Sequence, residues 1–296
     1  MTPRSLVVQS VLYGNAADDI RRAVAASVAA VTRAVDGGFV ERWEIRLGDC
    51  SPTPVFDEAA VADLATLVGD AGGAFSVTVF GANLGSAAGH NALAAESDTE
   101  LLLILNPDAI VSPFAVVRLL QRVDGDVGVA EARQVPIEHP KDYDSGTGET
   151  SWASTACAVT TRAVFDEVGG FDSETFFLYC DDVDYSWRVR LAGRRVLYVP
   201  EATVFHDKRL LPDGGWPAGD AEVYYSAEAA LLLAHKYSRP DLVAKLRSAF
   251  ASDGALQTKA LAEFELRGRE GRLPTPIDRA HRVGSFIKGN YARHRF

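Results

Sequence analysis

Short apolar runs alternate with longer segments of helical periodicity along the first hundred residues. Leu6 to Leu12 is β-rich and apolar, and Asp18 to Val35 repeats alanine, valine and arginine at helical spacing. Glu41 to Leu47 predicts a second strand, Ala59 to Val68 a helix, Ser76 to Phe80 a third strand, Gly85 to Ala95 a small-residue helix, and Leu101 to Leu105 a fully apolar strand. Buried runs separated by helices predict βαβ units in a mostly parallel sheet, because right-handed crossovers place helices on both faces. Beyond Pro113 the pattern predicts a helix over Phe114 to Val123, a strand over Gly128 to Val135, a polar loop from Glu138 to Ser151, a strand from Trp152 to Thr161, and helices over Val223 to Tyr237 and Asp241 to Phe250. Pro274 and Pro276 mark a joint, beyond which the last twenty residues read as an appended arm with an amphipathic helix at most.

In open sheets of this kind ligands bind outside the carboxyl ends of the strands. The residues that follow the first four strands are polar and turn-forming: Tyr13, Gly14 and Asn15; Gly48, Asp49 and Ser51; Gly81, Asn83 and Gly85; Asn106, Pro107 and Asp108. All four loops line one predicted crevice. In LLLILNPD the stiff Pro107 turn sends Asp108 past the sheet edge, a geometry suited to holding Mg²⁺ or Mn²⁺, which complete an oxygen shell with phosphates and water. The same Asp would serve equally as a cap for the next helix.

The densest chemistry lies in GGFDSETFFLYCDDVDYSWRVRLAGRRVLYVPEATVFH, from Gly169 to His206. Asp181, Asp182 and Asp184 fall within four residues and are flanked by Phe176, Phe177, Leu178, Tyr179 and Tyr185. Carboxylates beside hydrocarbon and beside each other tend toward raised pKa, as a general base or a cation site needs. An acidic first helical turn, favoured by the helix dipole, accounts for the same residues without chemistry. Arg188 is placed either to compensate leaving-group charge or to pair with Asp184 across one turn.

These segments, with SVLYGN, GDCSP, GANLGSAAGHNAL and WASTACAVTTRAVFDEVGGFD, resemble the GT-A glycosyltransferases of family 2, particularly the bacterial rhamnosyltransferase-like branch, from about Leu6 to Tyr237. The resemblance implies a GT-A, Rossmann-like fold with a nucleotide-sugar half over about residues 1–112, an acceptor half over about 113–237, and a helical, basic extension over 238–296. It implies an inverting, metal-dependent transfer of rhamnose or another hexose from a nucleoside diphosphate, dTDP or UDP foremost. Asp49 would meet the base, while Asn83 and Gly85 line the nucleotide pocket. Asp108 and His206 would hold Mg²⁺ or Mn²⁺, and Tyr13, Asn15, Asn91, Asn106 and Arg188 would complete the donor set. Asp182 would be the base that deprotonates the acceptor, with Asp181 beside it. Trp152, and Trp216 in the loop PDGGWPAGD, are candidates for the acceptor side.

The chain departs from the family's pattern at several positions. Gly14 separates Tyr13 from Asn15, Cys50 follows Asp49 where an asparagine is usual, Asn106 takes the first carboxylate position of an Asp-x-Asp, and Asp181 stands where a glutamate is customary. The segment Thr155-Ala156-Cys157 also lacks a glycine often found beside the acceptor. Two rivals are a nucleotidyltransferase that makes activated sugars and a catalytically silent carbohydrate-binding domain. The first usually opens on a glycine-rich, basic phosphate loop, absent from Leu6 to Asn15, and the second predicts loss of Asp108, Asp182 or His206, all of which are present.

Composition narrows the partners. The net charge is −10, yet Leu256 to Phe296 carries nine Lys and Arg against four Asp and Glu. A strongly acidic remainder argues against nucleic acid, whereas the basic tail suits anionic lipid at a membrane surface or an acidic neighbouring subunit, a homodimer included. Three distant cysteines support neither a disulfide framework nor a zinc knuckle. The opening MTPRSLVVQSVLYGN is too short in its apolar run for a span and lacks a signal-peptide pattern, which predicts a cytoplasmic protein reaching a glycan, a lipid-linked acceptor or a small molecule.

Overall fold

The structure, a computed structural model, describes residues 4–138, 142–206 and 218–291. Trp216 and its loop lie outside the described residues. The first half alternates β1 (Arg4–Leu12), α1 (Ala17–Asp36), β2 (Val40–Asp49), α2 (Glu58–Asp70), β3 (Ala74–Val79), α3 (Gly85–Ala95), β4 (Leu101–Leu105) and the short β5 (Ala109–Val111). The second half runs α4 (Ala115–Leu120), β6 (Val127–Val135), β7 (Cys157–Thr161), α5 (Arg162–Glu167), α6 (Asp181–Leu191) and β8 (Arg195–His206). It closes with α7 (Asp220–Lys236), α8 (Pro240–Phe250) and α9 (Ala255–Arg269).

All eight strands join one sheet in the order β3-β2-β1-β4-β7-β6-β8-β5. From β3 to β4 the pairing is parallel, as the βαβ pattern predicts, and the fully buried β4 reflects a strand covered on both faces. At β7 the direction reverses, with antiparallel pairs to β4 and β6. β8 pairs parallel with β6 and antiparallel with β5. Packing beneath the parallel half of the sheet comes from alternate residues of β1 and β2 against α1, whose Ile20, Val24 and Val31 are buried at helical spacing.

Two expectations are corrected. The predicted strand from Trp152 begins only at Cys157; residues 152–156 form an irregular segment whose polar groups are satisfied by neighbours, Ala153 N by Ser186 Oγ and Ala156 O by Asn106 N. The residues beyond Pro276 are not an appended arm. Val283 and Tyr291 are buried in a second core with Phe176, Val183, Trp187, Leu231 and Phe264, and Phe286 packs edge-on against Trp187. Two basic residues ahead of Pro276 are also committed internally: Arg267 pairs with Glu228 and Glu263, and Arg272 with Glu263 and Glu270. No helix among the described residues is long and apolar enough to cross a membrane.

Candidate active site

Residues 106–108 leave β4 as a tight turn and re-enter the sheet as β5, whose Ala109 is in register with His206 at the end of β8. That register, rather than any sequence proximity, puts His206 Nε2 3.3 Å from Asp108 Oδ1. On its other side the imidazole pairs through Nδ1 with Gln134 Oε1 at 2.8 Å, and Asn106 Nδ2 lies 3.3 Å from Nε2. An Nδ1–H donor to Gln134 leaves a lone pair on Nε2, which accepts from Asn106 and faces the Asp108 carboxylate. Two such atoms 3.3 Å apart can share a proton or flank a cation, and Asp108, 42% exposed against 7% for His206, stays open to solvent. Among the described residues no three His, Cys, Asp or Glu gather at one point. Asp108 Oδ1 and His206 Nε2 are chemically suited to a divalent ion that draws the rest of its shell from phosphate and water.

The acidic helix start forms the second pole. Tyr179 and Cys180 adopt left-handed backbone (φ 66° and 56°), a conformation that costs about 1–3 kcal/mol for such residues and is held only where the surroundings over-determine it. Here Asp184 N donates to Cys180 O at 2.8 Å, and Phe177 O accepts from Ser86 N at 3.0 Å, which ties the strained turn to the start of α3. The three aspartates then meet different fates. Asp184 is fully buried and paired with Arg188 Nε at 2.7 Å, with Lys236 Nζ and with the Tyr237 hydroxyl. Asp182 is half-buried at the helix surface. Asp181 is buried, and its Oδ2 has no hydrogen-bond partner among the described residues. Burial, and secondly the charge of Asp182, push the Asp181 carboxyl up to about 7, against a hydrogen bond from Ser86 that lowers it.

The segment 152–156 links the poles. Ser186 Oγ on α6 binds both Ala153 N and the Asp182 carbonyl, and three residues on, Ala156 O receives the Asn106 amide. Glu131, buried under this segment, accepts Ser154 N.

No family model matches the chain. A stretch of 57 residues, 19% of this chain, is 46% identical to the N-acetylglucosaminyl-diphospho-decaprenol L-rhamnosyltransferase of Mycobacterium tuberculosis, from each of two strains. The match spans 18% of that relative's length. The whole architecture is similar to a Pyrobaculum calidifontis mannosyltransferase solved with GDP-Man and Mn²⁺ (TM-score 0.59, 16% identity, 93% of this chain and 82% of that one). It is also similar to GalNAc-T7 solved with UDP, GalNAc and Mn²⁺ (TM-score 0.63, 13% identity, 95% and 57%) and to Staphylococcus aureus TarS (TM-score 0.53, 12% identity, 89% and 43%). The chain has the GT-A glycosyltransferase fold.

On the GT-A frame the expected donor residues divide. Tyr13 is exposed above the crevice and Asn15 accepts its amide at 2.9 Å, while Gly14 N donates to Ser51 Oγ, so the extra glycine closes the first loop onto the second. Asp49 is fully buried, with its carboxylate oxygens accepting Ser51 N at 2.8 Å and Val55 N at 2.6 Å; it shapes the 50–55 loop instead of projecting into the crevice. Asn83 accepts Gly85 N, and Gly85 (φ +74°) is required because a Cβ there would collide with the carbonyl oxygen of Phe177.

Three expectations are revised. Asn91 is a latch: its side-chain amide donates to Phe171 O at 2.8 Å and accepts Phe171 N at 2.9 Å, holding the approach to α6 against α3. Asn91→Ala is expected to lower stability by about 2–4 kcal/mol through two unsatisfied backbone groups, read as a drop in melting temperature. Arg188 follows the ion-pair alternative, bound to Asp184 and to Val168 O. Trp152, 3% exposed, stacks edge-on against Tyr291 in the second core, so it is packing rather than an acceptor platform. The sequence reading missed Gln134, Lys236 and His90. No local pattern marks the first two, whose roles come from partners 72 and 52 residues away; His90, facing Gln9 Nε2 at 3.2 Å, sat inside the small-residue helix as a visible but uninterpreted polar residue.

Burial pushes the His90 imidazole down to about 4, so the unfolded chain holds more protons and stability climbs from about pH 4 to 6.5, by on the order of 3 kcal/mol. Asp181, with its folded pKa raised to about 7, does the opposite: its contribution is full below about pH 4 and falls away as pH rises to 7. The two slopes oppose each other across one pH window. Asp181→Asn is therefore expected to raise the melting temperature at pH 7–8 and to unmask a climb between pH 4 and 6.5, seen by thermal denaturation at stepped pH. A variant that melts lower than wild type at pH 8 would contradict a buried carboxyl whose ionisation costs stability.

Proposed function

We propose that the chain is an inverting glycosyltransferase that moves a hexose, rhamnose foremost, from a dTDP- or UDP-linked donor to an acceptor hydroxyl. The observation that supports it best is the pairing of an Asp108–His206 pole fitted to a cation with a strained helix start that carries Asp182 at its surface, the two joined by residues 152–156. Asp182 takes the acceptor proton as the acceptor oxygen bonds to the anomeric carbon from the face opposite the diphosphate. The bond from that carbon to the diphosphate oxygen breaks, and its electron pair leaves with the diphosphate, so the configuration inverts in one displacement. No acid is needed at the leaving group, which is already stable as a dianion or trianion.

Asp108 and His206 would hold Mg²⁺ or Mn²⁺, which when bound supplies positive charge to the departing diphosphate. Burial lifts the Asp181 carboxyl to about 7, so at neutral pH it carries only part of a negative charge beside the base. The relative named for a diphospho-decaprenol acceptor makes a lipid-linked diphosphate glycan the first acceptor to test, at a membrane surface that the basic C-terminal region is suited to approach.

The test is calorimetric binding of dTDP-, UDP- and GDP-sugars with and without Mn²⁺. Wild type is expected to bind one donor class in a metal-dependent manner, and Asp108→Ala to weaken that binding by roughly tenfold or more. Absence of any nucleotide-sugar binding would sink the proposal.

A further inference from the structure

We propose that the cleft between the C-terminal end of α6, the 142–151 loop and the 281–285 turn is a second anion site, built to take a phosphate or diphosphate group and separate from the catalytic crevice. The cleft encloses about 580 Å³, room for a diphosphate rather than a lone ion. Eight residues of helix at 1.5 Å each put Arg190 about 12 Å along α6 from Asp182.

Two of the four guanidiniums that line the cleft are left without an ion pair among the described residues once partners are assigned. Arg194 is taken by Glu167 at 3.0 Å, and Arg195 by Glu149 at 3.3 Å and Asp126 at 3.5 Å. Asp142 and Asp144 also line the cleft, and Asp144 accepts the Gly146 and Thr147 amides, which hold its carboxyl below the usual range and keep it ionised. Arg190 and Arg282 remain, and among the described residues neither has a carboxylate within ion-pair distance. Arg190 is half-buried, gives one N–H to Val283 O at 2.8 Å, and lines the cavity with His281 and Arg282. Burial lowers its pKa most, while the charges of Glu149 and Asp278 raise it. A partly desolvated guanidinium with donors to spare is stabilised by an incoming oxyanion.

The turn that delivers Arg282 is preformed. Asp278 accepts the amides of Arg282, Val283 and Gly284 at 2.7, 3.0 and 2.9 Å, so the basic pair is presented by hydrogen-bonded backbone rather than by a loose tail. Two guanidinium forks facing one cavity suit phosphate oxygens, which accept paired N–H donors. This assigns part of the C-terminal extension a binding role that does not depend on the glycosyl-transfer proposal.

The test is calorimetric titration of the full chain with inorganic pyrophosphate in EDTA, which removes metal from Asp108 and His206. Saturable binding is expected, weakened on the order of tenfold or more in Arg282→Ala and in Arg190→Gln, and unchanged in Asp108→Ala. Arg282 is exposed, so its variant carries the test if circular dichroism shows Arg190→Gln to be unfolded. Farnesyl diphosphate is the second probe: tighter binding than pyrophosphate assigns the site to a lipid-borne diphosphate, and equal binding to a water-soluble phosphate. No saturable binding, equal affinity in Arg282→Ala, or loss in Asp108→Ala would each overturn the proposal.

Discussion

Asp182→Asn is expected to lower kcat by about 10²–10⁴-fold while leaving donor affinity within about threefold of wild type. The asparagine keeps the shape of the side chain and can still meet Val183 N through its carbonyl oxygen, as Asp182 Oδ1 does at 2.8 Å, so the first turn of α6 stays formed. What it cannot do is take a proton. On the proposed function the donor would be held at the other pole, by the loops after β1, β2 and β3 together with Asp108, so the loss would fall on turnover alone. The discriminating measurement is kcat beside donor Kd for Asp182→Asn and Asp108→Ala. The first variant should lose rate without affinity, and the second should lose metal-dependent affinity. If Asp182→Asn kept more than about a tenth of wild-type turnover, the base would have to be sought elsewhere.

Lys236→Met is expected to destabilise the chain by about 3–5 kcal/mol, the largest effect on stability predicted for a single side chain here. Lys236 Nζ meets Asp172 Oδ2 at 2.6 Å and the fully buried Asp184, which also receives Arg188 Nε and the Tyr237 hydroxyl. Removing the lysine leaves Asp172 without its cation and the fully buried Asp184 with Arg188 alone, beside Phe176, Trp187 and Tyr237. Chemical denaturation reads the loss directly, and the double variant Lys236→Met/Asp172→Asn should recover part of it, because Asp184 keeps Arg188 and no carboxylate of the cluster is left without a cation. A loss no larger in the single variant than in the double would show that the cluster is not held by its charges.

Both predictions concern aspartates of one short run, and their divergence separates what local sequence can show. The alternation of apolar runs and helical periods from Leu6 to Leu105 was enough to place β1 to β4 and α1 to α3, because the fully buried β4 and the half-buried α1 each impose their own spacing on the chain. The end-of-strand loops were legible for the same reason: polar turn residues must follow where a buried parallel strand stops. Misreadings began where the contact partner is remote. Trp152 looked like an aromatic platform because its partner Tyr291 lies 139 residues away, and the segment after Pro276 looked detached because nothing local reveals that Val283 and Phe286 complete a core around Trp187.

By itself, then, the sequence determined the order of elements, the parallel half-sheet and the list of acids and histidines capable of chemistry, since these follow from periodicity, turn propensity and ionisable groups. Only the tertiary structure decided their roles. Strand register brought His206 to Asp108 across 98 residues, and the reversal at β7 led to the bridge from Asn106 to α6. Burial separated three neighbouring aspartates into a buried ion-pair member, a buried acid of raised pKa and a half-buried base candidate. Desolvation and pairing depend on what the rest of the chain places within a few ångströms, and residue type alone carries no record of that distance.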